Sequence, residues 1–261
     1  MSITRSRSPA APVTKPDAVS AVGVLLVGHG SPSRTGPART LAGHARVLKR
    51  MGRFSTVRHA VLSGGPDPAR ELAAMVDQGR VLVLPMFMSD GYLVRHVLRE
   101  RLGSGGDRPG VHVCPPIGLA PELVNLIVEV AEEIRSVRGW LPNAWDLMLA
   151  AHGSTKDPAS RHSADTLARS MTRVLTVNRV RTAFLEEAPF LANVSDHLIR
   201  PTVVVGLFAA GGGHAREDVP QALKSARQPV AYAGAIGCDR RIPNLIGAAL
   251  ERELRKSVAA A

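Results

Sequence analysis

The sequence is poor in aromatic residues, in cysteine and in long apolar runs, and each scarcity argues against a class of protein. Aromatic side chains make up 3% of the 261 residues, which argues against a surface that stacks nucleic-acid bases. The two cysteines, Cys114 and Cys238, form neither a disulfide framework nor a CxxC metal motif, and they suit a reducing cytoplasm. No apolar run is long enough to span a membrane.

Acidic residues are also scarce, with 22 acids against 33 lysines and arginines and a formal net charge of +11. This charge indicates an anionic partner, but it does not distinguish a polycarboxylate from DNA or a membrane surface. With 45% hydrophobic residues the chain can bury a core, so we expect a globular protein. Residues 1–20 lack the apolar segment of a secretory signal and are predicted to form a disordered tail.

The chain contains one pattern twice. A short apolar run ends in His29-Gly30-Ser31, and another ends in His152-Gly153-Ser154, 123 positions later. Further segments match at offsets that shrink from 123 to 119, as small loop deletions would produce: 60–62 with 183–185, 83–87 with 204–208, and 125–127 with 244–246. We therefore predict two tandem copies of one domain, residues 21–138 and 144–261, with a linker between them.

Each copy alternates short apolar strands with segments of helical periodicity. This alternation predicts an α/β fold in which each copy is a small parallel sheet flanked by helices, with a cleft between the two copies. His29 and His152 then lie at the carboxyl ends of their strands, where open α/β sheets bind ligands. His44 falls near the apolar face of the first helix, and we interpret it as a packed residue.

Polar residues of the second copy follow three neighbouring strands and are expected to converge. His152 follows the first strand, Glu186 and Glu187 the second, and His214 a glycine-rich loop after the third. Two imidazoles and a carboxylate suit a weakly bound divalent metal and proton acceptance near neutral pH. Strand alternation lets only one of the two glutamates point inward, and the sequence leaves open which one.

The residues after His214 predict the start of a helix. Asp218 is a suitable N-cap, Pro220 falls in the first turn, and Gln221 completes a capping box. On this interpretation His214 lies on the loop before the helix.

The whole pattern resembles the class II chelatases of tetrapyrrole biosynthesis, the CbiX and sirohydrochlorin chelatase family, in the long form with two tandem copies. The resemblance covers residues 22–255 and rests on the two His-Gly-Ser motifs, on Phe184-Leu185-Glu186 followed by Pro189, and on residues 211–220. It implies ATP-independent insertion of Co²⁺ or Fe²⁺ into sirohydrochlorin, with no cofactor beyond the substrate metal. The absence of a GxxxxGK[ST] motif agrees with ATP independence. The sequence does not choose between the two metals.

The resemblance also implies roles for individual residues. His152 and His214 would be the catalytic pair that handles the metal, with Glu186 as a supporting catalytic carboxylate. The residues expected to bind the substrate are His29, Ser31, Ser154, Asp90, Tyr92, Gly212, Gly213 and Arg216. The first copy departs from the pattern, since Leu93 and Ser63 occupy the positions of His214 and Glu186. We expect a degenerate site there, and a monomer whose fused copies build one cleft.

Sirohydrochlorin carries many carboxylates, and we expect Lys156, Arg161 and Arg216 to bind them. A non-catalytic tetrapyrrole or metal carrier with the same fold is the alternative to a chelatase. A nucleic-acid-binding protein is suggested only by the charge, without a helix-turn-helix or RNA-binding signature. The sequence lacks the GxSxG motif that a serine hydrolase would be expected to carry. Neither a nucleic acid nor a membrane is therefore the expected partner.

Overall fold

A computed structural model describes residues 22–31 and 35–259, so the tail predicted over residues 1–20 lies outside the described residues. The first half has four strands, four α-helices and a π-helical segment. In chain order these are β1 (Gly23–Gly30), α1 (Gly36–Arg50), β2 (Thr56–Ser63), α2 (Pro68–Val76), β3 (Val81–Pro85), the π-helical segment Leu93–Leu98, α3 (Arg99–Leu102), β4 (Val111–Val113) and α4 (Glu122–Val137).

The second half repeats this order. Its elements are β5 (Asp146–Ala151), α5 (Ala159–Met171), β6 (Arg179–Phe184), α6 (Leu191–Asp196), β7 (Thr202–Gly206), the π-helical segment His214–Asp218, α7 (Val219–Ala222), β8 (Val230–Ala235) and α8 (Ile242–Ala259). None of the helices in the described part of the chain is long and apolar enough to cross a membrane.

Each half forms a four-stranded sheet in which every pair of neighbouring strands is parallel. The strand orders are β2-β1-β3-β4 and β6-β5-β7-β8. The central strands β1 and β5 are the apolar runs before the two His-Gly-Ser motifs, and they are buried because helices cover both faces of a parallel sheet. The α/β fold with two tandem sheets, predicted from the sequence, is confirmed.

Alternate residues of the central strands enter different cores. Leu26 and Leu149 belong to one large cluster that includes residues of both halves, whereas Leu25 and Met148 enter two smaller clusters, each within its own half. This follows from the two-residue period of a strand, which sends neighbouring side chains to opposite faces. The two halves therefore share a continuous apolar core.

Polar contacts also join the halves. His44 is buried and its Nε2 donates a hydrogen bond to the Gly237 carbonyl oxygen at 2.7 Å, which confirms it as a packed residue. Arg252 pairs with Glu122, and Arg241 pairs with Glu133 at 2.6 Å.

These two ion pairs occupy corresponding places in the internal repeat. At the offset of 119 positions, Glu122 corresponds to Arg241 and Glu133 corresponds to Arg252. The first half therefore has a glutamate at both positions and the second half has an arginine at both, so each pair joins a glutamate of one half to an arginine of the other. Pairing two first halves would instead place glutamate against glutamate, and pairing two second halves would place arginine against arginine.

Candidate active site

Two histidines meet at the carboxyl ends of β5 and β7. His152 directly follows β5, and His214 begins the π-helical segment after β7. Their ring centroids are 4.5 Å apart and the ring planes are nearly perpendicular, at 86°. Because β5 and β7 are adjacent and parallel, their ends bring together side chains that lie 62 positions apart in the sequence.

The hydrogen bonds of the two rings leave the same nitrogen available on each. His152 Nδ1 lies 2.8 Å from the Gly153 carbonyl oxygen, and His214 Nδ1 lies 2.7 Å from Asp218 Oδ2. Both oxygens are acceptors, so each Nδ1 is the donor and the neutral ring keeps its lone pair on Nε2. In its neutral form, each imidazole can therefore bind a metal or accept a proton through Nε2.

Glu187 holds the loop that carries His152. Its Oε1 accepts a hydrogen bond from Ser154 N at 3.0 Å, and its Oε2 accepts two from the Arg161 guanidinium at 2.8 and 2.9 Å. Arg161 also lies over the Phe184 ring, 4.7 Å from its centroid. Glu187 and Arg161 are thus engaged with each other, and Arg161 is not a free cation for a substrate carboxylate.

Glu186 is placed differently. Its backbone N–H donates to the His152 carbonyl oxygen at 2.9 Å, and its side chain is exposed. Over residues 22–31 and 35–259, no three His, Cys, Asp or Glu side chains form a group that could hold a metal ion. Glu186 therefore lies next to the His152 backbone, but its carboxylate does not form a three-ligand cluster with the His152 and His214 rings.

The capping box predicted at Asp218 is wrong. The helical backbone begins at His214, so Asp218 lies inside a helical turn, and its carboxylate makes no capping bond to α7. The reason is that α7 continues the preceding π-helical turn, whose carbonyl oxygens are available to the N–H groups at its start, as the bond from Val219 N–H to the His214 carbonyl oxygen shows. The Asp218 carboxylate binds the imidazole of His214 instead.

The glycine loop before His214 packs against the first half. An added Cβ on Gly212 would lie 3.9 Å from the Pro37 ring, and an added Cβ on Gly211 would lie 2.9 Å from Arg216 Nε. The guanidinium of Arg216 therefore rests on the loop backbone, although the residue as a whole is exposed. Gly213, which precedes His214, has a helical φ of −55° and belongs to the same turn.

A second contact between the halves fixes the other side of the His152 loop. Asp157 Oδ2 accepts hydrogen bonds from Tyr92 N at 2.8 Å and from Arg95 Nη2 at 3.1 Å, both in the first half. A hydrogen bond from Ala159 N is the main cause of a lowered pKa of Asp157, and the bonds from Tyr92 and Arg95 add to it. Ser154 Oγ accepts from Asp157 N at 3.2 Å, which links this contact to the His-Gly-Ser motif.

The remaining predicted substrate-binding residues lie in the first half. His29 is exposed, and its Nδ1 donates to the Gly30 carbonyl oxygen at 2.8 Å, as His152 does to Gly153. Ser31 follows at the end of β1. Asp90 and Tyr92 are also exposed, and the Tyr92 ring contacts His96 with the centroids 5.0 Å apart.

Sequence reasoning missed Asp157 and the roles of Glu187 and Asp218. The bond from His214 to Asp218 had a signal in the sequence, because residues four positions apart face each other on a helix. The contact between Asp157 and the first half had none, because it depends on how the two halves pack.

The chain matches one protein family over most of its length. Residues 23–134 and 146–253 each match CbiX. The chain belongs to the CbiX family. A probable sirohydrochlorin cobaltochelatase of Halobacterium salinarum is 25% identical over 221 residues, which cover 76% of this chain and 75% of that protein.

Two solved structures are similar to this CbiX-family chain. One is CbiX, described as the terminal enzyme for biosynthesis of siroheme in denitrifying bacteria. It is 28% identical, with a TM-score of 0.74, and the match covers 88% of this chain and 98% of that one. The other is SirB from Bacillus subtilis with Fe³⁺, which at 21% identity shares the fold. Its TM-score is 0.69, and the match covers 86% of this chain and 92% of that one.

Proposed function

We propose that this chain inserts a divalent metal, Co²⁺ or Fe²⁺, into sirohydrochlorin without ATP, at a site in its second half. The observation that carries the proposal is the edge-to-face pair of His152 and His214, each with Nδ1 bonded to an acceptor and Nε2 available. The relatives support the substrate, since one is described as a sirohydrochlorin cobaltochelatase and another as an enzyme of siroheme biosynthesis.

The chemistry requires a metal to enter as protons leave. One M²⁺ ion replaces two pyrrole N–H protons of the macrocycle, so the products are the metallated macrocycle and two protons. Neutral imidazoles serve both needs, because Nε2 binds Co²⁺ or Fe²⁺ and also accepts a proton near neutral pH. Two imidazoles bind a metal more weakly than a closed four-ligand site, which suits a metal that must be released.

Glu186 is the supporting carboxylate in this proposal. It is exposed beside His152, whereas the carboxylate of Glu187 is committed to Arg161 and to Ser154 N. Mutating each glutamate to glutamine separates the two roles. We expect Glu186→Gln to slow metal insertion and leave the urea midpoint unchanged, and Glu187→Gln to lower the midpoint.

The substrate would lie across the carboxyl ends of the strands. Lys156 and Arg216 are exposed there and suited to the carboxylates of sirohydrochlorin. Ser154, Gly212 and Gly213 would line the second-half side. His29, Ser31, Asp90 and Tyr92 of the first half would form the opposite wall.

The first half provides a matched control for the test. The purified chain is mixed anaerobically with sirohydrochlorin and Co²⁺ or Fe²⁺, without ATP, and loss of the free-macrocycle absorbance is followed. We expect His152→Ala and His214→Ala to slow insertion by about 10²-fold or more, the usual contribution of a group that transfers a proton. His29→Ala, at the position that corresponds to His152, should have a much smaller effect.

Two outcomes would contradict the proposal. Bound sirohydrochlorin without acceleration over the uncatalysed rate would indicate a tetrapyrrole carrier. Loss of activity in His29→Ala, with His152→Ala still active, would place the site in the first half. Comparing initial rates with Co²⁺ and Fe²⁺ in the same assay identifies the preferred metal.

A further inference from the structure

We propose that Asp218 is a positioning residue for the His214 imidazole: its carboxylate holds the proton on Nδ1 and so keeps Nε2 ready to bind the metal. The inference rests on the proposed function for the identity of the metal, and on the structure for the contact. His214 Nδ1 and Asp218 Oδ2 are 2.7 Å apart, within the range of a charge-assisted hydrogen bond. Bonds of this kind fix the orientation of metal-binding histidines and raise their basicity as ligands.

The surroundings of His214 make Asp218 effective as an orienting group. The Phe208 ring lies nearly parallel to the imidazole, with centroids 6.5 Å apart and an angle of 23°, and the His152 ring meets it edge-on. The Tyr232 hydroxyl donates to the Ala215 carbonyl oxygen at 2.9 Å and ties down the turn that carries both residues. The ring therefore has neighbours on two sides, and the Asp218 bond fixes its rotation.

The two imidazoles differ in the partner that orients them. His152 donates to a backbone carbonyl, which is neutral, whereas His214 donates to a carboxylate. An ionised acceptor makes the stronger bond and increases electron density on the opposite nitrogen. The structure thus assigns His214 as the stronger of the two metal ligands.

The internal repeat indicates that Asp218 serves the His214 side chain and is not required to form the helical turn. At the offset of 121 positions, His214 corresponds to Leu93 and Asp218 corresponds to Val97. Both first-half residues are partly buried and pack against the apolar core of that half. The same turn is therefore built with two polar residues at one site and two apolar residues at the other. If Asp218 served only to form the turn, the first half would need its counterpart as well.

The expected loss of metal affinity depends on how exposed the hydrogen bond between His214 and Asp218 is. The side chains of His214 and Asp218 are 49% and 54% exposed, so water competes for their hydrogen bond. Removal of an orienting partner costs about 10- to 100-fold in metal affinity or activity at typical sites. We expect the lower end, about tenfold, for Asp218→Ala.

Binding of Co²⁺ alone to the full chain tests the proposal by calorimetry and by the visible absorbance of the bound ion. Asp218→Ala should weaken binding about tenfold. Asp218→Asn should fall between the wild type and Asp218→Ala, because its amide oxygen still accepts from Nδ1 but carries no charge. Asp196→Asn is the matched control, since this exposed aspartate ends α6 shortly before β7 begins at Thr202, whereas His214 follows the carboxyl end of β7.

A double-mutant cycle separates positioning from a general charge effect. In a His214→Ala background, Asp218→Ala should cause no further loss of Co²⁺ affinity, because its only route to the metal has been removed. An additive loss, or Co²⁺ binding by Asp218→Ala within twofold of the wild type, would overturn the role of Asp218. These readouts do not depend on sirohydrochlorin. Failure of metal insertion by the wild-type chain would refute the proposed function and leave the Asp218 measurement interpretable.

Discussion

Replacing Gly153 with alanine should loosen the loop that carries His152 and destabilise the protein more than the same change at another glycine of similar backbone conformation. Gly153 has φ of +76°, and a Cβ there would lie 2.7 Å from Glu187 Cγ and 2.9 Å from Phe184 Cβ. Its carbonyl oxygen is also the acceptor for His152 Nδ1. The substitution therefore perturbs the contact that holds the loop and the bond that orients the ring.

The loss of stability expected for Gly153→Ala has two parts. A left-handed backbone conformation costs a residue with a Cβ about 1–2 kcal/mol. Forcing an extra carbon into a packed position typically costs about 1–3 kcal/mol more. Gly52 isolates the first part, because it has φ of +68° and no atom within 4 Å of an added Cβ. We expect Gly153→Ala to exceed Gly52→Ala in lost stability by about the packing part alone, 1–3 kcal/mol.

Urea unfolding of the two variants measures the free energy of unfolding, and Co²⁺ binding reports the site. Gly153→Ala should lose both stability and Co²⁺ affinity, whereas Gly52→Ala should lose about 1–2 kcal/mol of stability and keep its Co²⁺ affinity. Equal destabilisation by the two substitutions would show that the close approach to Glu187 and Phe184 does not contribute to the loss in free energy of unfolding. A Gly153→Ala variant with unchanged Co²⁺ affinity would show that His152 does not depend on this loop geometry.

Two further predictions concern the contacts between the halves. Burial lowers the pKa of His44 below its usual value of 6.5, so stability that is present above pH 6.5 should be lost as the pH falls through the lowered pKa. His44→Gln keeps a hydrogen-bond donor but does not titrate, so its urea midpoint should fall less between pH 7.5 and 5.5 than that of the wild type. An equal fall in the two proteins would contradict this prediction. Arg241 also bonds Asp239 and Glu129, so Arg241→Glu places a like charge against three carboxylates and should cost about 1 kcal/mol or more. Adding Glu133→Arg should restore part of the loss in urea unfolding, and no recovery would show that the pair is not energetically coupled.

The sequence predicted the strands well because their signal is local. The apolar runs before His29 and His152 became β1 (Gly23–Gly30) and β5 (Asp146–Ala151). Burial of a central parallel strand requires a continuous apolar run, so the run itself identifies the strand. The meeting of His152 and His214 was also predictable, because the carboxyl ends of neighbouring parallel strands lie at one edge of a sheet.

The helix ends were less predictable. Asp218 has the spacing of an N-cap, yet the helical backbone begins four residues earlier at His214. Capping residues are favoured where a helix starts without a preceding helical turn, whereas here the π-helical turn supplies carbonyl acceptors to the start of α7. The same sequence signal is therefore compatible with a cap and with a side-chain partner for His214.

The sequence by itself determined the duplication, the parallel sheets and the edge at which His152 and His214 meet, because all three depend on periodicity and on chain order. Only the tertiary structure decided which glutamate is committed to Arg161 and how Asp157 reaches the first half. Those outcomes depend on the directions of side chains within a few ångströms and on the packing of two halves against each other. Neither is encoded in the spacing of residues along the chain.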